Sequence, residues 1–222
     1  MIDADETLLD FQKAQRYGFI DVIRHFGVPF SEKLYSEFVS INHQFWGLFE
    51  QNQMDKSDVQ SCRFSQLFKN NSMSVEGIEA DCIYQESLKK QSWLIPSAEE
   101  VCSELSKSCE ISIITNGVGE TQKQRILSSA ISPFVANIFT SEEVGFMKPD
   151  TRFFEFVFDR LGIVNTQGVL LIGDSISSDI QGAINASIDS CWFNPLGKQL
   201  PKGIVVKYEI SDLRQLVRVI HE

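Results

Sequence analysis

The fold class follows from the stretch Ile111-Ser112-Ile113-Ile114-Thr115-Asn116-Gly117, in which a short apolar run ends in turn-forming residues. Similar runs recur after Pro96, and amphipathic segments of helical period lie between them. The pattern predicts strands at 111–114, 137–140, 169–172 and 191–193, and helices at 97–107, 119–130, 150–161 and 178–186. Such alternation predicts an α/β protein with a doubly wound, mostly parallel, Rossmann-like sheet that binds ligands at the carboxyl ends of its strands.

The segment between Leu8 and Leu94 has a different pattern. Phe19, Val22 and Ile23 begin an apolar series with the i, i+3, i+4 spacing of a helix, and the segment shows no convincing strand. The sequence therefore predicts an inserted α-helical cap domain at 15–94 and an α/β core formed by 1–14 and 95–222.

Composition excludes some classes of function. The formal net charge of −10 and the pI near 4.8 disfavour a nucleic acid polymer as partner, because such binding needs clustered Lys and Arg. No apolar run approaches the roughly 18 residues of a membrane span. The five cysteines include no CxxC pair, and no secretory signal is visible, so we expect reduced thiols and a cytoplasmic location.

Polar residues follow several of the predicted strands. Because parallel strands end at one edge of their sheet, these residues are expected to lie together. Asp3 and Asp5 are one residue apart near the start of the chain, so in an extended segment their side chains point the same way. The predicted group at this edge contains Asp3, Asp5, Thr115, Asn116, Lys148, Asp174 and Asp179.

In their order along the chain, these residues resemble the four motifs of the haloacid dehalogenase-like (HAD) phosphohydrolase superfamily. The motifs correspond to Asp3-Ala4-Asp5-Glu6-Thr7, Thr115-Asn116-Gly117, Lys148, and Gly173-Asp174 with Asp179. The stretch DADETLLDF, the helical insert after it, and Trp46 followed by Arg63-Phe64 resemble the branch that hydrolyses pyrimidine nucleoside 5'-monophosphates.

The resemblance implies a magnesium-dependent phosphatase that acts on a small phosphate monoester through an aspartyl-phosphate. Asp3 would be the nucleophile, and Asp5 would protonate the leaving alkoxide and then deprotonate water. The resemblance also assigns the remaining residues. Thr115, Asn116 and Lys148 would bind phosphate; Asp3, the Asp5 carbonyl and Asp174 would bind Mg²⁺; Asp179 and Thr7 would support them; and Arg63 and Trp46 would contact substrate.

Other motif interpretations fit less well. An EF-hand needs Gly and Glu where Leu8 and Ala14 stand, and a dinucleotide-binding GxGxxG motif needs glycine where Gln122 stands. Dehalogenases of the superfamily usually lack the second carboxylate, so Asp5 favours phosphate esters. A sugar or glycolate phosphate remains an alternative substrate, and the sequence leaves open whether the protein is a monomer or a homodimer.

A second class of function is a catalytically impaired binding protein. The resemblance implies a hydrophobic strand of several residues before Asp3, whereas Met1 and Ile2 precede it here. A shortened central strand is expected to leave its neighbours without some hydrogen bonds and to hold the nucleophile less firmly.

Overall fold

The computed structural model describes residues 1–221, and within them six parallel strands form one sheet. The strands are β1 (Ile2–Asp3), β2 (Ser112–Thr115), β3 (Asn137–Thr140), β4 (Leu170–Gly173), β5 (Asp189–Phe193) and β6 (Tyr208–Ile210). Their order across the sheet is β3-β2-β1-β4-β5-β6, which confirms the predicted α/β class.

Helices connect most of these strands. In chain order they are α1 (Phe11–His25), α2 (Glu32–Glu50), α3 (Lys56–Asn70), α4 (Gly77–Leu88), α5 (Ala98–Leu105), α6 (Gly119–Leu127), α7 (Ser141–Val144), α8 (Thr151–Leu161), α9 (Gln181–Asn185) and α10 (Leu216–His221). A π-helical turn at Ile176–Ile180 precedes α9. No helix among residues 1–221 combines the length and apolar character needed to cross a bilayer.

Both faces of the sheet are covered by helices. Side chains alternate across a strand, so Ile113 packs in one core with α5 and Ile126 of α6, while Ile114 packs in another with α8. Leu171 and Ile172 of β4 divide between the two cores in the same way. This burial on both faces explains why the strands read as continuous apolar runs in the sequence.

The two-residue strand β1 lies in the middle of the sheet. Ile2 pairs with Ile113 of β2 and with Ile172 of β4, and Asp3 pairs with Ile114. The Met1 carbonyl accepts a hydrogen bond from the Ile172 N–H at 3.0 Å. Short as it is, β1 therefore holds Asp3 from both neighbouring strands.

The predicted boundaries need several corrections. The strand predicted at 137–140 has the observed limits, but helices predicted to reach 107 and 130 end at Leu105 and Leu127. The helix predicted at 178–186 is a π-helical turn followed by α9, because the Ser175 side chain caps the backbone N–H of Ser178 and starts the turn earlier. Strand β6 and helix α10 were not predicted.

Contacts within the chain divide it into two compact units. One contains Met1–Phe11 and Ser92–Glu222 and includes the sheet, and the other is Gln12–Gln91. Within the described residues the second unit consists of helices, as predicted for the insert. Its role as a cap stays a prediction.

A buried ion pair lies inside the helical unit. The Arg63 side chain is 1% exposed and donates from Nε to Asp81 Oδ1 at 2.7 Å and from Nη1 to Asn42 Oδ1 at 3.0 Å. Its guanidinium also stacks on Tyr84, 4.4 Å from the ring centre. Arg63 thus joins α2, α3 and α4 from within the unit.

Replacing Arg63 with Met is expected to lower the free energy of unfolding by about 3 kcal/mol, because it leaves the buried Asp81 carboxylate without its counter-charge. The matched control is Arg24→Met, since Arg24 pairs with Asp21 at the surface of α1 and should contribute less than about 1 kcal/mol. Urea unfolding measures both values. Equal losses in the two variants would contradict the structural role of Arg63.

Candidate active site

The predicted site residues of the core converge at one edge of the sheet. Asp3 ends β1, Thr115 ends β2, and Asp174 directly follows β4. These strands are adjacent and parallel, so their carboxyl ends share an edge. The order of strands thus brings together residues from distant parts of the chain.

Lys148 is the centre of this group. Its side chain is 1% exposed, and Nζ donates to Asp3 Oδ1 at 2.6 Å, to Asp179 Oδ1 at 2.6 Å and to the Ile114 carbonyl at 3.1 Å. Burial by itself lowers the pKa of Lys148, but the charges of Asp179 and Asp3 outweigh it and the pKa is raised. The ammonium therefore stays charged and keeps the two carboxylates in place.

Three carboxylates lie close together beside this lysine. Oxygens of Asp3, Asp174 and Asp179 all lie within 4.8 Å of one another. Burial, together with the nearby charges of Asp179 and Glu6, raises the pKa of Asp174 to about 7. Burial also raises the pKa of Asp3, against the opposing effect of Lys148. Three crowded carboxylates, two of them with raised pKa values, are a donor set that a hard divalent cation would stabilise.

Asn116 holds the backbone of Lys148. Its side-chain Nδ2 donates to the Lys148 carbonyl at 2.8 Å, and its Oδ1 accepts from the Lys148 N–H at 2.9 Å. Both polar atoms of the amide therefore contact the segment that carries the lysine. The phosphate contact predicted for Asn116 stays a prediction.

Asp179 is brought to the site by the turn after β4. Its Oδ2 accepts from the Ser175 N–H at 3.1 Å while its Oδ1 faces Lys148. A Cβ atom on Gly173 would lie 2.3 Å from Cγ of Asp179, a distance that no side chain tolerates. Glycine at 173 is therefore required for this approach.

Thr7, fully buried, donates a long hydrogen bond of 3.4 Å to Asp174 Oδ1.

The Asp5 side chain lies in a separate cluster with two residues that the sequence analysis did not assign to the site. Arg125 Nη1 donates to Asp5 Oδ1 at 2.5 Å, and Gln122 Nε2 donates to Asp5 Oδ2 at 2.7 Å. From the sequence, Gln122 was considered only as the residue that stands in place of a glycine of the dinucleotide-binding GxGxxG motif. A signal was present, since Gln122 and Arg125 are three residues apart and so lie on one face of α6.

Glu6 is also placed at the site by the first motif. It has a φ of 61°, in the left-handed region that non-glycine residues adopt at a cost. Its carboxylate adds to the negative charge near Asp174. No role was predicted for Glu6 from the sequence, because its placement depends on a backbone angle that no local pattern indicates.

The two residues predicted to contact substrate belong to the helical unit. Arg63 is bound by Asp81 and Asn42, as described above. Trp46 is half-buried on α2 and packs edge-on against Phe49, with ring centres 5.5 Å apart. Their contacts with substrate stay predictions.

The arrangement supplies the groups that transfer of a phosphoryl group needs. Asp3 offers a carboxylate beside a fixed positive charge, and the acidic cluster can take a cation. Thr115 offers a hydroxyl oxygen that accepts from the Gly117 N–H at 3.0 Å. Asp5 offers a second carboxyl group that is not part of the acidic cluster.

Comparison with known proteins agrees with this chemistry. A sequence model described as haloacid dehalogenase-like hydrolase matches residues 1–193. YfnB of Bacillus subtilis, named as an HAD-hydrolase, is 33% identical over 221 residues, covering 100% of this chain and 94% of its own. The pyrimidine 5'-nucleotidase PynA of Streptococcus pneumoniae is 30% identical over 218 residues, covering 98% of this chain and 92% of its own.

Two further comparisons concern the cation and the substrate. The crystal structure of YfnB bound to magnesium matches with a TM-score of 0.94 at 33% identity, covering 100% of this chain and 97% of that one. The N-acylneuraminate-9-phosphatase of Mus musculus is 23% identical over 223 residues, covering 96% of this chain and 90% of its own.

Proposed function

Since the chain belongs to the haloacid dehalogenase-like hydrolase family, we propose that it hydrolyses phosphate monoesters through an aspartyl-phosphate formed on Asp3. The observation that carries the proposal is the Asp3 carboxylate, 8% exposed at the residue level and bound to Lys148 at the carboxyl edge of the sheet. A carboxylate fixed beside a buried positive charge is suited to attack phosphorus and to form a covalent intermediate.

Each neighbouring group then has a defined task. Because Lys148 engages Oδ1 of Asp3, we assign the attack to Oδ2. Lys148 and Thr115 would offset the charge on the phosphoryl oxygens, and Asp179 and Asn116 keep Lys148 in place. Asp5 would give a proton to the leaving alkoxide and later take one from the water that hydrolyses the intermediate.

The acidic cluster would hold Mg²⁺. The predicted ligands Asp3 and Asp174 both belong to this cluster, and Asp179 is its third carboxylate. The remaining predicted ligand is the backbone carbonyl oxygen of Asp5. When bound, the cation balances the charge of the carboxylates and of the substrate phosphate. The raised pKa values of Asp3 and Asp174 support this assignment, because burial first, and neighbouring negative charges second, make both carboxylates costly to ionise without a cation.

The substrate class we propose is the pyrimidine nucleoside 5'-monophosphates. PynA supports it, since it is a full-length relative at 30% identity whose name gives that activity. The phosphatase of a sugar phosphate at 23% identity supports the alternative of a sugar or glycolate phosphate.

Phosphate release from a panel of esters tests the proposal. The panel contains pyrimidine and purine nucleoside 5'-monophosphates, N-acylneuraminate 9-phosphate, other sugar phosphates and phosphoglycolate, each with Mg²⁺ and with EDTA. We expect turnover that requires Mg²⁺ and is fastest with a pyrimidine nucleotide. If the folded protein hydrolyses none of these esters, the alternative of a catalytically impaired binding protein replaces the proposal.

Replacing Asp174 with Asn is expected to stabilise the metal-free protein by about 1–2 kcal/mol at pH 8, because it removes a half-buried negative charge. The pKa of Asp174, about 7, exceeds its ordinary value of 3.8, so the folded state binds the carboxyl proton of Asp174 more tightly than the unfolded state does. The metal-free wild type should therefore lose stability as the pH rises from about 4 to about 7, and the variant should lose less.

The same variant tests the cation. Mg²⁺ should raise the melting temperature of the wild type, and this increase should disappear in Asp174→Asn. Asp159→Asn, at an exposed position on α8, is the control and should retain the full increase. An unchanged response in Asp174→Asn would remove Asp174 from the metal site.

A further inference from the structure

Helix α6 presents two side chains to Asp5 from a distant part of the sequence. Gln122 and Arg125 lie three residues apart and so share a face of the helix. They are 117 and 120 residues from Asp5 in the chain. Both are buried, at 2% and 0% exposure, whereas the Asp5 side chain is 28% exposed.

The two residues engage both oxygens of the Asp5 carboxylate. Arg125 binds Oδ1 and Gln122 binds Oδ2, at the distances given above. Arg125 Nη1 also donates to Gln122 Oε1 at 2.8 Å, which fixes the orientation of the amide. The carboxylate is thus held at two points by groups that also hold each other.

This arrangement extends to the phosphate-binding segment. Gln122 Nε2 also donates to Thr115 Oγ1 at 3.1 Å, so one amide connects the Asp5 carboxylate with the Thr115 hydroxyl. The space for Gln122 exists because residue 117 is glycine: a Cβ there would lie 2.7 Å from both Cγ and Nε2 of Gln122. A buried guanidinium is costly unless a counter-charge accompanies it, and Asp5 supplies one for Arg125.

We propose that Gln122 and Arg125 are positioning residues that hold the Asp5 carboxylate in the orientation that its acid–base role requires. The proposal rests on the function proposed above. A general acid acts only within hydrogen-bond reach of the leaving oxygen, and a displacement of about 1 Å can cost about 10²-fold in rate. Both anchoring groups are N–H donors, so each Asp5 oxygen accepts one hydrogen bond from the protein and keeps a second lone pair with which to exchange the proton with substrate and water.

Leaving-group dependence separates this role from a merely structural one. The variants are Gln122→Ala and Arg125→Lys, and the control is Gln124→Ala, which changes the same residue type at an exposed position of α6. Two substrates are compared. One is the alkyl phosphate that the wild type hydrolyses fastest, whose alkoxide needs a proton on leaving; the other is 4-nitrophenyl phosphate, whose phenolate leaves without one.

We expect kcat/KM for the alkyl phosphate to fall by about 10²-fold in Gln122→Ala and Arg125→Lys. For the aryl phosphate, kcat/KM of the same two variants should change less than about threefold. This ratio reports the steps up to formation of the aspartyl-phosphate, and the departure of 4-nitrophenolate in those steps needs no proton. With the aryl phosphate, the two variants should also give a burst of 4-nitrophenolate. The intermediate should form at its normal rate but be hydrolysed slowly, because activation of the hydrolytic water still depends on Asp5. Gln124→Ala should behave as wild type with both substrates.

Equal falls for the two substrates, or no fall for either, would overturn the positioning role while leaving the proposed function intact. If the wild type hydrolyses neither ester, the proposed function and the positioning role fail together. Should Arg125→Lys not fold, as judged by circular dichroism, Gln122→Ala decides the question, because it removes no charge from the interior.

Discussion

Asp3→Asn is expected to lower kcat for every phosphate ester that the protein hydrolyses by at least about 10⁴-fold, because an amide cannot replace the attacking carboxylate. The variant should fold, since the Asn side chain has nearly the same shape and Lys148 keeps its bond to Asp179. Phosphate release measures the loss. Acid-quenched wild-type enzyme should carry a phosphoryl group on the peptide that contains Asp3.

The control for this experiment is Asp159→Asn, which makes the same chemical change at an exposed position of the same unit. It should retain wild-type activity. Turnover by Asp3→Asn within tenfold of wild type would show that another group attacks phosphorus, even if the reaction is the one proposed.

Lys148→Met is expected to reduce both stability and activity. The buried carboxylates of Asp3 and Asp179 would lose the ammonium between them, and removing one partner of a buried ion pair costs about 3–5 kcal/mol. Activity should fall below detection, because the charge beside the nucleophile is lost. Urea unfolding measures the first effect, and phosphate release the second.

Two controls identify the cause of that instability. Lys123→Met removes an exposed partner of Glu143 and should cost less than about 1 kcal/mol. The double variant Lys148→Met with Asp179→Asn should lose less stability than Lys148→Met alone, because one uncompensated carboxylate is gone. Equal losses in the single and double variants would contradict the electrostatic explanation.

The sequence predicted the class of fold and the convergence of the core residues because both depend on local patterns. Apolar runs such as that at Ile111–Ile114 locate strands, and the rule that ligands bind at carboxyl ends brings Asp3, Thr115 and Asp174 to one edge. The relation between Asn116 and Lys148 was not predictable, because it joins a side-chain amide to a backbone segment 32 residues away.

The predictions made from the sequence mainly missed the contacts of long polar side chains. Arg63 was predicted to contact substrate, whereas its observed contacts are with Asp81 and Asn42, on other helices of the same unit. Gln122 and Arg125 were missed because their partner, Asp5, is more than a hundred residues away. Apolar periodicity shows that a residue is buried, but the pairing of buried polar groups depends on how helices are placed around the sheet.

The glycine at 173 gives the site an unusual sensitivity to a single methyl group. Asp179 occupies the volume that a Cβ at 173 would need, Asp179 binds Lys148, and Lys148 binds Asp3. A change from Gly173 to alanine would therefore shift the carboxylate of Asp179 first, then the ammonium of Lys148, and through it the carboxylate of Asp3. The position of the Asp3 carboxylate is thus set, through two ion pairs, by a residue that has no side chain and contacts neither Lys148 nor Asp3 through one.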